Sequence, residues 1–297
     1  MQSYNLKKKK DIFPYMMCLP ALIIFTAFVI APFILGIYTS FFKWDGISPM
    51  KFIGIKNYIW IFEDETFWLS IKHTLVYAFF VTILKNVIGL GLALLVTKNI
   101  AGKGFFRVCA YLPVTFSYVV IGVLWSWIYN PIFGLLNNLL SSIGLDSWIH
   151  GWLSEPQIAL YSVMAVDIWK WMGFHMVLYM AGLQAIPKEM YEAAEIDGAG
   201  TSKKFWRITI PQLNSTLVLN IVMSITGAFM TNYNLVKVMT DGGPYNSTEV
   251  ALTYIVRNAF TYSSLGKSNA MSVLLFIFVF AFAFAQLKVM TKDDNYQ

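Results

Sequence analysis

Long apolar runs constrain this sequence more than any other feature, because a helix that crosses a bilayer core needs about 20 consecutive apolar residues. Six runs in the 297 residues meet that requirement. Hydrophobic residues make up 57% of the chain and charged residues only 13%, whereas an ordinary soluble domain has about 25% charged residues. The sequence therefore predicts an all-α integral membrane protein with six transmembrane helices.

Polar segments divide the predicted helices from one another. We place the helices within a single transmembrane domain, 1–297, at residues 12–42, 73–97, 108–129, 157–185, 208–236 and 268–287. Residues 1–11 and 288–297 are the two tails, and residues 187–207 form a well-charged loop between the fourth and fifth helices. An even number of helices places both tails on one side of the membrane.

Basic residues near the ends of the spans assign the two faces. Thirteen Lys and Arg residues lie on the side of the tails and seven on the opposite side. Cytoplasmic segments of membrane proteins are enriched in Lys and Arg. Both tails and the loop 187–207 are therefore predicted to be cytoplasmic, and the net charge of +6 reflects topology rather than a nucleic acid partner.

The loop 187–207 is predicted to contain two short helices joined by a turn. Pro187 favours a first helical turn, and good helix formers follow it. Gly198 is expected to end the first helix in a left-handed conformation, and Thr201 or Ser202 to cap the second. Such a segment is either a docking surface for a partner or a solvated loop whose charges only fix the topology.

The spacing within this loop resembles that of a known family. Three residues separate Glu192-Ala193-Ala194 from Gly198, and nine more precede Ile208, which is followed by Ile210 and Pro211. This pattern is similar to the cytoplasmic loop of permease subunits of binding-protein-dependent ABC importers, with Ile210 where Leu is usual. Residues 52–58, 181–187 and 240–244 also look like the carbohydrate class, specifically the first of its two non-identical permeases in maltose-type systems.

The resemblance implies an ATP-driven importer of a sugar, expected to be an oligosaccharide. This chain would be the transport subunit and not an enzyme. It implies a second permease subunit, two ATPase subunits, an extracellular solute-binding protein and membrane lipids as partners, and no nucleic acid. No cofactor is expected on this chain, whereas ATP and Mg would bind the ATPase subunits. The implied location is the bacterial cytoplasmic membrane.

The resemblance also assigns residues to the contact with the ATPase. In the family, the short helix of the loop inserts into a cleft on the ATPase, whose closure on ATP moves the membrane helices between inward-facing and outward-facing states. A carboxylate for a charge-assisted contact, small residues for close approach and an aromatic anchor suit that role. The expected coupling residues are Glu192, Ala193, Ala194, Asp197, Gly198, Phe205 and Trp206.

The substrate path implied by maltose-type relatives lies on the two helices that flank the loop. Counting from Pro211 gives one face of the fifth helix, and the matching part of the fourth helix carries aromatic rings. Most positions on the fifth helix are smaller than in maltose-type relatives, so a different or bulkier sugar is implied. The alternative is a face that only packs helices together. The expected path residues are Trp171, Gly173, Phe174, His175, Ser224, Gly227, Ala228 and Thr231.

Charged residues inside the predicted spans leave further alternatives open. Asp167 and Lys170 lie one turn apart and pair either with each other or with another helix, and Lys85 is expected to find a partner on another helix. A proton-coupled secondary transporter would use Asp167, Lys170 and His175 as a relay. A membrane-embedded enzyme would need convergent histidines or carboxylates, which the scattered histidines do not supply. No metal site is predicted.

Overall fold

The computed structural model describes residues 13–98 and 101–290, which are mostly helical. The predicted tail 1–11 and most of the tail 288–297 lie outside the described residues. The helices are α1 (Phe13–Phe25), α2 (Ala31–Thr39), α3 (Lys56–Glu63), α4 (Glu65–Thr97), α5 (Lys103–Tyr111), α6 (Tyr118–Ile128), α7 (Leu135–Ser142), α8 (Ala159–Ala185), α9 (Lys188–Ile196), α10 (Thr201–Lys204), α11 (Ile210–Gln212), α12 (Asn214–Met239), α13 (Ala251–Phe260) and α14 (Leu265–Met290). Single turns of π-helix at Thr26–Ile30 and Phe205–Thr209, and of 3₁₀-helix at Leu112–Thr115 and Asp146–Trp148, connect some of them.

Four helical segments in the described part of the chain are long and apolar enough to cross a membrane. A fifth span results if the bent pair Lys103–Thr115 and Tyr118–Ile128 is counted as one. Helix α8 is 27 residues long but carries Asp167 and Lys170, and it is not among them. The four segments are Met16–Thr39, Glu65–Thr97, Asn214–Met239 and Leu265–Phe284.

Helix α4 begins earlier than the predicted second span because a capping residue fixes its start. The side chain of Asp64 accepts hydrogen bonds from the backbone N–H groups of Thr66 and Phe67, at 2.9 and 3.2 Å. These bonds satisfy donors that a helix start leaves free. Tyr254 donates to the other carboxylate oxygen of Asp64 at 2.6 Å, which ties the start of α4 to α13.

The third predicted span, 108–129, is not one straight helix. Helix α5 and the following 3₁₀ turn meet α6 at an angle of 105°. Phe116 has extended backbone angles, and the Ser117 side chain caps the start of α6 by accepting from the N–H of Val120. The break leaves backbone carbonyl groups without helical partners.

Lys170 of α8 satisfies those carbonyl groups. Its Nζ donates to the carbonyl oxygens of Pro113, Val114 and Phe116, at 3.2, 3.2 and 2.6 Å. A cation is favourable at the carboxyl end of a helix, where the carbonyl dipoles point outward. The buried charge on Lys170 is therefore held by the broken helix, while the neighbouring Asp167 bonds to Lys85. Of the two predicted alternatives, pairing with other helices is confirmed.

The chain divides into two compact units. Of the described residues, the first unit contains 13–61 and 258–277. It includes a two-stranded antiparallel ribbon of β1 (Phe42–Lys43) and β2 (Lys51–Phe52), an addition to the predicted all-α fold. The Asn57 side chain holds the chain beside this ribbon by donating to the carbonyl oxygens of Ser40 and Phe42, at 2.8 and 2.9 Å.

The second unit contains residues 62–257 and, of the described carboxyl-terminal part, 278–290. Helices α4, α8 and α12 pack against one another at its centre, and α6 packs on α12. Burial of apolar side chains from several helices stabilises this arrangement, as in Tyr77 and Val81 of α4, Val163 of α8 and Leu235 of α12. The loop that contains α9 and α10 directly joins α8 to α12, so it lies between two of the three central helices in sequence.

Candidate functional site

The loop 187–207 folds as the sequence predicts, into a helix, a turn and a second helix. Helix α9 starts after Pro187 and has Glu189 in its first turn. At its end, the N–H of Asp197 donates to Ala193 O and that of Ala199 donates to Ala194 O, at 3.0 and 2.8 Å. These bonds close the helix over its last free carbonyl groups.

Gly198 makes that ending possible. Its φ of +74° lies in the left-handed region, which side chains disfavour and glycine adopts freely. A Cβ built at Gly198 would meet no atom within 4 Å, so the backbone angle and not crowding favours glycine at this position. The predicted left-handed residue is therefore confirmed.

Helix α10 begins at a different residue from the one predicted. Gly200 is its N-terminal cap, and neither Thr201 nor Ser202 caps it through a side chain. The turn between the two helices is closed by an ion pair of 2.9 Å between Lys204 Nζ and Glu195 Oε2. The hydrogen bond and the charge of Lys204 lower the pKa of Glu195 below its ordinary value.

Several predicted coupling residues lie on the surface of this loop. Glu192, Ala193, Asp197, Gly198 and Trp206 are exposed, and Ala194 and Phe205 are half-buried. The Trp206 side chain is 64% exposed and packs edge-on against the Phe205 ring at 5.0 Å between centroids.

The structure adds an apolar residue that the sequence did not single out. Ile196, on the last turn of α9, is 88% exposed, although a side chain of this kind is normally buried. It lies one turn after Glu192 on α9, and Trp206 is a second uncovered apolar side chain of the loop. In the sequence, the position of this apolar residue at the polar end of a short helix could have indicated that it is exposed.

A cavity of about 270 Å³ lies among α4, α8 and α12 in the second unit. Six of the eight predicted path residues line it, together with Lys85 and Met223. Three lining residues come from α8 and four from α12, the two helices that flank the loop. The predicted residues found there are Trp171, Phe174, His175, Ser224, Gly227 and Thr231.

The other two predicted path residues have packing roles. A side chain at Gly173 would collide with the carbonyl oxygen of Ala110, so Gly173 lets α8 approach α5 closely. Ala228 is completely buried in the apolar core among residues of α4, α6 and α8. The sequence pattern assigns Gly227 and Ala228 to the same helix face. Adjacent residues of a helix point about 100° apart around its axis, and here only Gly227 reaches the cavity.

Lys85, for which the sequence predicts a partner on another helix, also lines the cavity. Its Nζ bonds to Asp167 Oδ2 at 2.8 Å and lies 5.9 Å from the centre of the Trp171 ring, a position suited to a cation–π contact. Both partners of the ion pair are buried. An ionisable residue inside a membrane span is a functional candidate by default, so its position near the middle of α4 was a usable signal.

A chain of hydrogen bonds fixes the polar wall of the cavity. His175 Nδ1 lies 2.8 Å from Asn220 Oδ1, and His175 Nε2 lies 3.2 Å from Ser224 Oγ. Because the amide nitrogen of Asn220 donates to Thr216 O, its Oδ1 must accept, and the proton belongs on His175 Nδ1.

The same chain continues from Ser224 to α4. Asn86 Nδ2 donates to Ser224 Oγ at 2.9 Å, and Tyr179 OH donates to Asn86 Oδ1. Each central helix contributes at least one member of this network. The wall next to the aromatic rings therefore has defined donors and acceptors, which can bind hydroxyl groups of a ligand.

The described residues contain no group of three or more His, Cys, Asp or Glu side chains that could hold a metal ion. What they present is a polar and aromatic cavity whose walls are joined directly to a surface loop. Such an arrangement can bind a small polar molecule and transmit movement of the loop to its binding site.

Comparison with known proteins identifies the family. The model of the family described as binding-protein-dependent transport system inner membrane component matches residues 85–289. A probable ABC transporter permease protein of Bacillus subtilis is 38% identical, with 94% of this chain and 96% of that protein covered. A probable permease protein of a starch degradation products transport system from Thermoanaerobacterium thermosulfurigenes is 32% identical, with 90% of each covered.

A solved structure has the same fold. In the crystal structure of a bacterial alginate ABC transporter in complex with alginate pentasaccharide-bound periplasmic protein, one chain is 25% identical to this one, with a TM-score of 0.80 and 94% of this chain and 93% of that chain covered. The chain therefore belongs to the family of binding-protein-dependent transport system inner membrane components.

Proposed function

We propose that this chain is the permease subunit of an ATP-driven ABC importer that carries a saccharide across the bacterial cytoplasmic membrane. The observation that carries the proposal is the direct connection between the loop 187–207 and the two helices that supply most of the cavity wall. Family membership supports the transport role, and names of relatives that mention starch degradation products and alginate support the saccharide.

The loop is proposed to dock on a separate ATPase subunit that binds and hydrolyses ATP with Mg. The exposed Trp206 and Ile196 side chains provide apolar anchors, and Glu192 provides a carboxylate for a basic group on the partner. Anchors of this kind gain energy only when a partner covers them. Their exposure therefore favours docking over a loop that only fixes topology.

The cavity is proposed to bind one part of the saccharide. The rings of Trp171 and Phe174 can cover the apolar faces of sugar rings, and Ser224, Thr231 and His175 can bind hydroxyl groups. The volume of about 270 Å³ is just below the range of roughly 300–1,000 Å³ that is usual for sites enclosing a whole small ligand. A second permease subunit is proposed to supply the remainder of the path.

The number and orientation of the membrane spans follow from the same reasoning. We propose six spans with both termini in the cytoplasm, in which α8 is the fourth span and the bent pair α5–α6 the third. Burial supports the assignment of α8, because Asp167 and Lys170 face partners on other helices and not lipid. Two ATPase subunits and an extracellular solute-binding protein would complete the assembly.

The proton-coupled alternative has no support. Asp167 bonds to Lys85, Lys170 bonds to backbone carbonyl oxygens, and His175 bonds to Asn220 and Ser224. The three side chains proposed as a relay thus have separate hydrogen-bond partners. A relay needs its members bonded to one another or through a common intermediary.

A bulky residue in the cavity wall tests the transport role. Gly227 lines the cavity, and a Cβ built there meets no atom within 4 Å, so Gly227→Phe should fill the cavity without disturbing packing. Saccharide uptake into proteoliposomes that contain the complete transporter and ATP should fall at least about tenfold, since a ring of this size excludes the ligand. Co-purification of the subunits should be unchanged.

Gly91→Phe is the matched control. Gly91 also lies within a long helix, has no atom within 4 Å of a built Cβ, and does not line the cavity. The control should transport like the original protein. Normal uptake in Gly227→Phe, or uptake that survives without ATP and collapses with a protonophore, would overturn the proposed function.

A further inference from the structure

A second and larger cavity lies within the first unit. Its volume is about 620 Å³, and it is bounded by the β1–β2 ribbon, the segment that joins the two strands, α3 and the start of α14. Four lysines and two tryptophans line it: Lys43, Lys51, Lys56, Lys267, Trp44 and Trp60. None of these residues belongs to the loop 187–207 or to the cavity lined by α8 and α12.

The lysines are concentrated in an arrangement that costs folding energy. Lys43 and Lys51 are directly opposed across the ribbon. Like charges at directly opposed positions destabilise a strand pair, and a ribbon of two strands is only marginally stable to begin with. Lys267 adds a third ammonium group, which is held 3.6 Å from the centre of the Trp60 ring. This cost is recovered when an anion binds between the ammonium groups.

Asp45, a carboxylate that lines the cavity, is bonded to its own loop and forms no ion pair with Lys43, Lys51 or Lys56. Asp45 accepts hydrogen bonds from the backbone N–H groups of Ile47 and Ser48 and from the Ser48 hydroxyl, at 2.9, 2.7 and 2.7 Å. These bonds lower the pKa of Asp45 to about 2, and the bond from the Ile47 N–H has the largest effect. The carboxylate is therefore ionised, but its oxygens already accept hydrogen bonds from its own loop. No ion pair joins Lys43, Lys51 or Lys56 to a carboxylate anywhere in residues 13–98 and 101–290.

The rest of the lining indicates the class of ligand. Ser48, Ser263 and Ser264 line the cavity together with the two tryptophans. Rings that cover apolar faces, combined with hydroxyl and ammonium donors, suit a polyhydroxylated ring that bears negative charge. Pro49 and Ile53 are the other apolar lining residues, so the cavity offers no long apolar groove for a lipid acyl chain.

We propose that this lysine-lined cavity binds a saccharide that carries carboxylate, sulfate or phosphate groups. The volume lies within the range of roughly 300–1,000 Å³ that encloses small ligands. The site is separate from the membrane cavity, and binding there does not depend on the transport role. Only its placement on the extracellular face rests on the proposed topology.

Titration calorimetry with the complete transporter in nanodiscs of neutral phosphatidylcholine tests the inference. Trigalacturonate and the uncharged maltotriose are the matched probes. Trigalacturonate should bind, and the Lys43→Gln/Lys51→Gln variant should bind it at least about tenfold more weakly, because two charge-assisted contacts are lost. Maltotriose binding should be unaffected by the substitution. Inorganic sulfate should displace trigalacturonate from the unsubstituted protein. This competition tests the site without any substitution.

Lys72→Gln/Lys237→Gln is the control for net charge, since both lysines lie outside the cavity. It should retain trigalacturonate binding. Because the opposed lysines repel each other, the Lys43→Gln/Lys51→Gln variant should melt no lower than the original protein. If it melts lower, Lys56→Gln replaces it in the calorimetry.

Three results would overturn the inference. The first is absence of trigalacturonate binding in a transporter that imports its sugar normally, an outcome that leaves the transport role intact. The second is equal loss of binding in both lysine double variants. The third is unchanged trigalacturonate binding in the Lys43→Gln/Lys51→Gln variant. Trigalacturonate binding by a complex that imports nothing contradicts the proposed function alone.

Discussion

Replacing Gly198 by Ala should loosen the end of α9 and weaken coupling to ATP hydrolysis. Gly198 has a φ of +74°, and an alanine in the left-handed region costs roughly 1–2 kcal/mol. Alanine also reduces the entropy of the unfolded chain, which returns up to about 1 kcal/mol. Since a Cβ at this position meets no atom within 4 Å, crowding adds nothing, and the net cost is about 1 kcal/mol.

A cost of this size lowers the ratio of closed to open turn about fivefold. The amides of Asp197 and Ala199 report that ratio directly, because their hydrogen bonds to Ala193 O and Ala194 O exist only when the turn is closed. In hydrogen–deuterium exchange of the complete transporter, both amides should exchange about fivefold faster in Gly198→Ala. In proteoliposomes, saccharide imported per ATP hydrolysed should fall.

Gly200 supplies the control within the same loop. Its φ of −67° and ψ of 168° are accessible to any residue, and a Cβ there also meets no atom within 4 Å. Replacing the glycine cap by alanine destabilises the folded loop, and restricting the unfolded chain stabilises it. Each effect changes the free energy of unfolding by less than about 1 kcal/mol. Gly200→Ala should therefore exchange and transport almost normally. Equal effects of the two substitutions would refute the role given to the left-handed turn.

Two further predictions concern ion pairs. Lys85→Met should destabilise the membrane core by about 3–5 kcal/mol, because it strands the buried carboxylate of Asp167, while Lys85→Met/Asp167→Leu should recover most of the loss. Thermal melting of the purified complex measures both, and a Lys85→Met protein that melts normally contradicts the expectation. Glu195 has a lowered pKa, so its pair with Lys204 stabilises the loop above the ordinary carboxyl pKa and loses that effect as the pH falls through the lowered value. In Lys204→Met, the pKa of Glu195 measured by ¹³C NMR titration should rise. An unchanged pKa would argue against the ion pair in solution.

The helices of the loop 187–207 could be predicted from sequence because their structure depends on local chemistry. A run of helix formers followed by glycine specifies both the helix and its left-handed end within about ten residues. The cap of α10 was missed because a glycine can occupy that position without a side-chain bond, so Thr201 and Ser202 appeared better suited.

The broken third span could not be predicted in the same way. Residues 108–129 are mostly apolar, and the carbonyl groups at the break within them bond to Lys170, which is more than 50 residues later in the chain. Similarly, the partner of Lys85 is 82 positions away in the chain. Hydropathy predicts that a segment enters the membrane, but it contains no information about a polar partner on another helix.

These distant partners also constrain how the loop can act on the cavity. Helix α8 is joined to the α5–α6 bend through Lys170, to α4 through Asp167, and to α12 through His175. Leaving one buried donor or acceptor unpaired costs about 1–3 kcal/mol, and more for a charge. If α8 slid alone, it would break all three connections at once. A displacement of the loop 187–207 should therefore move the central helices together as a rigid body, with the cavity opening at its boundary with the proposed second permease rather than between α8 and α12.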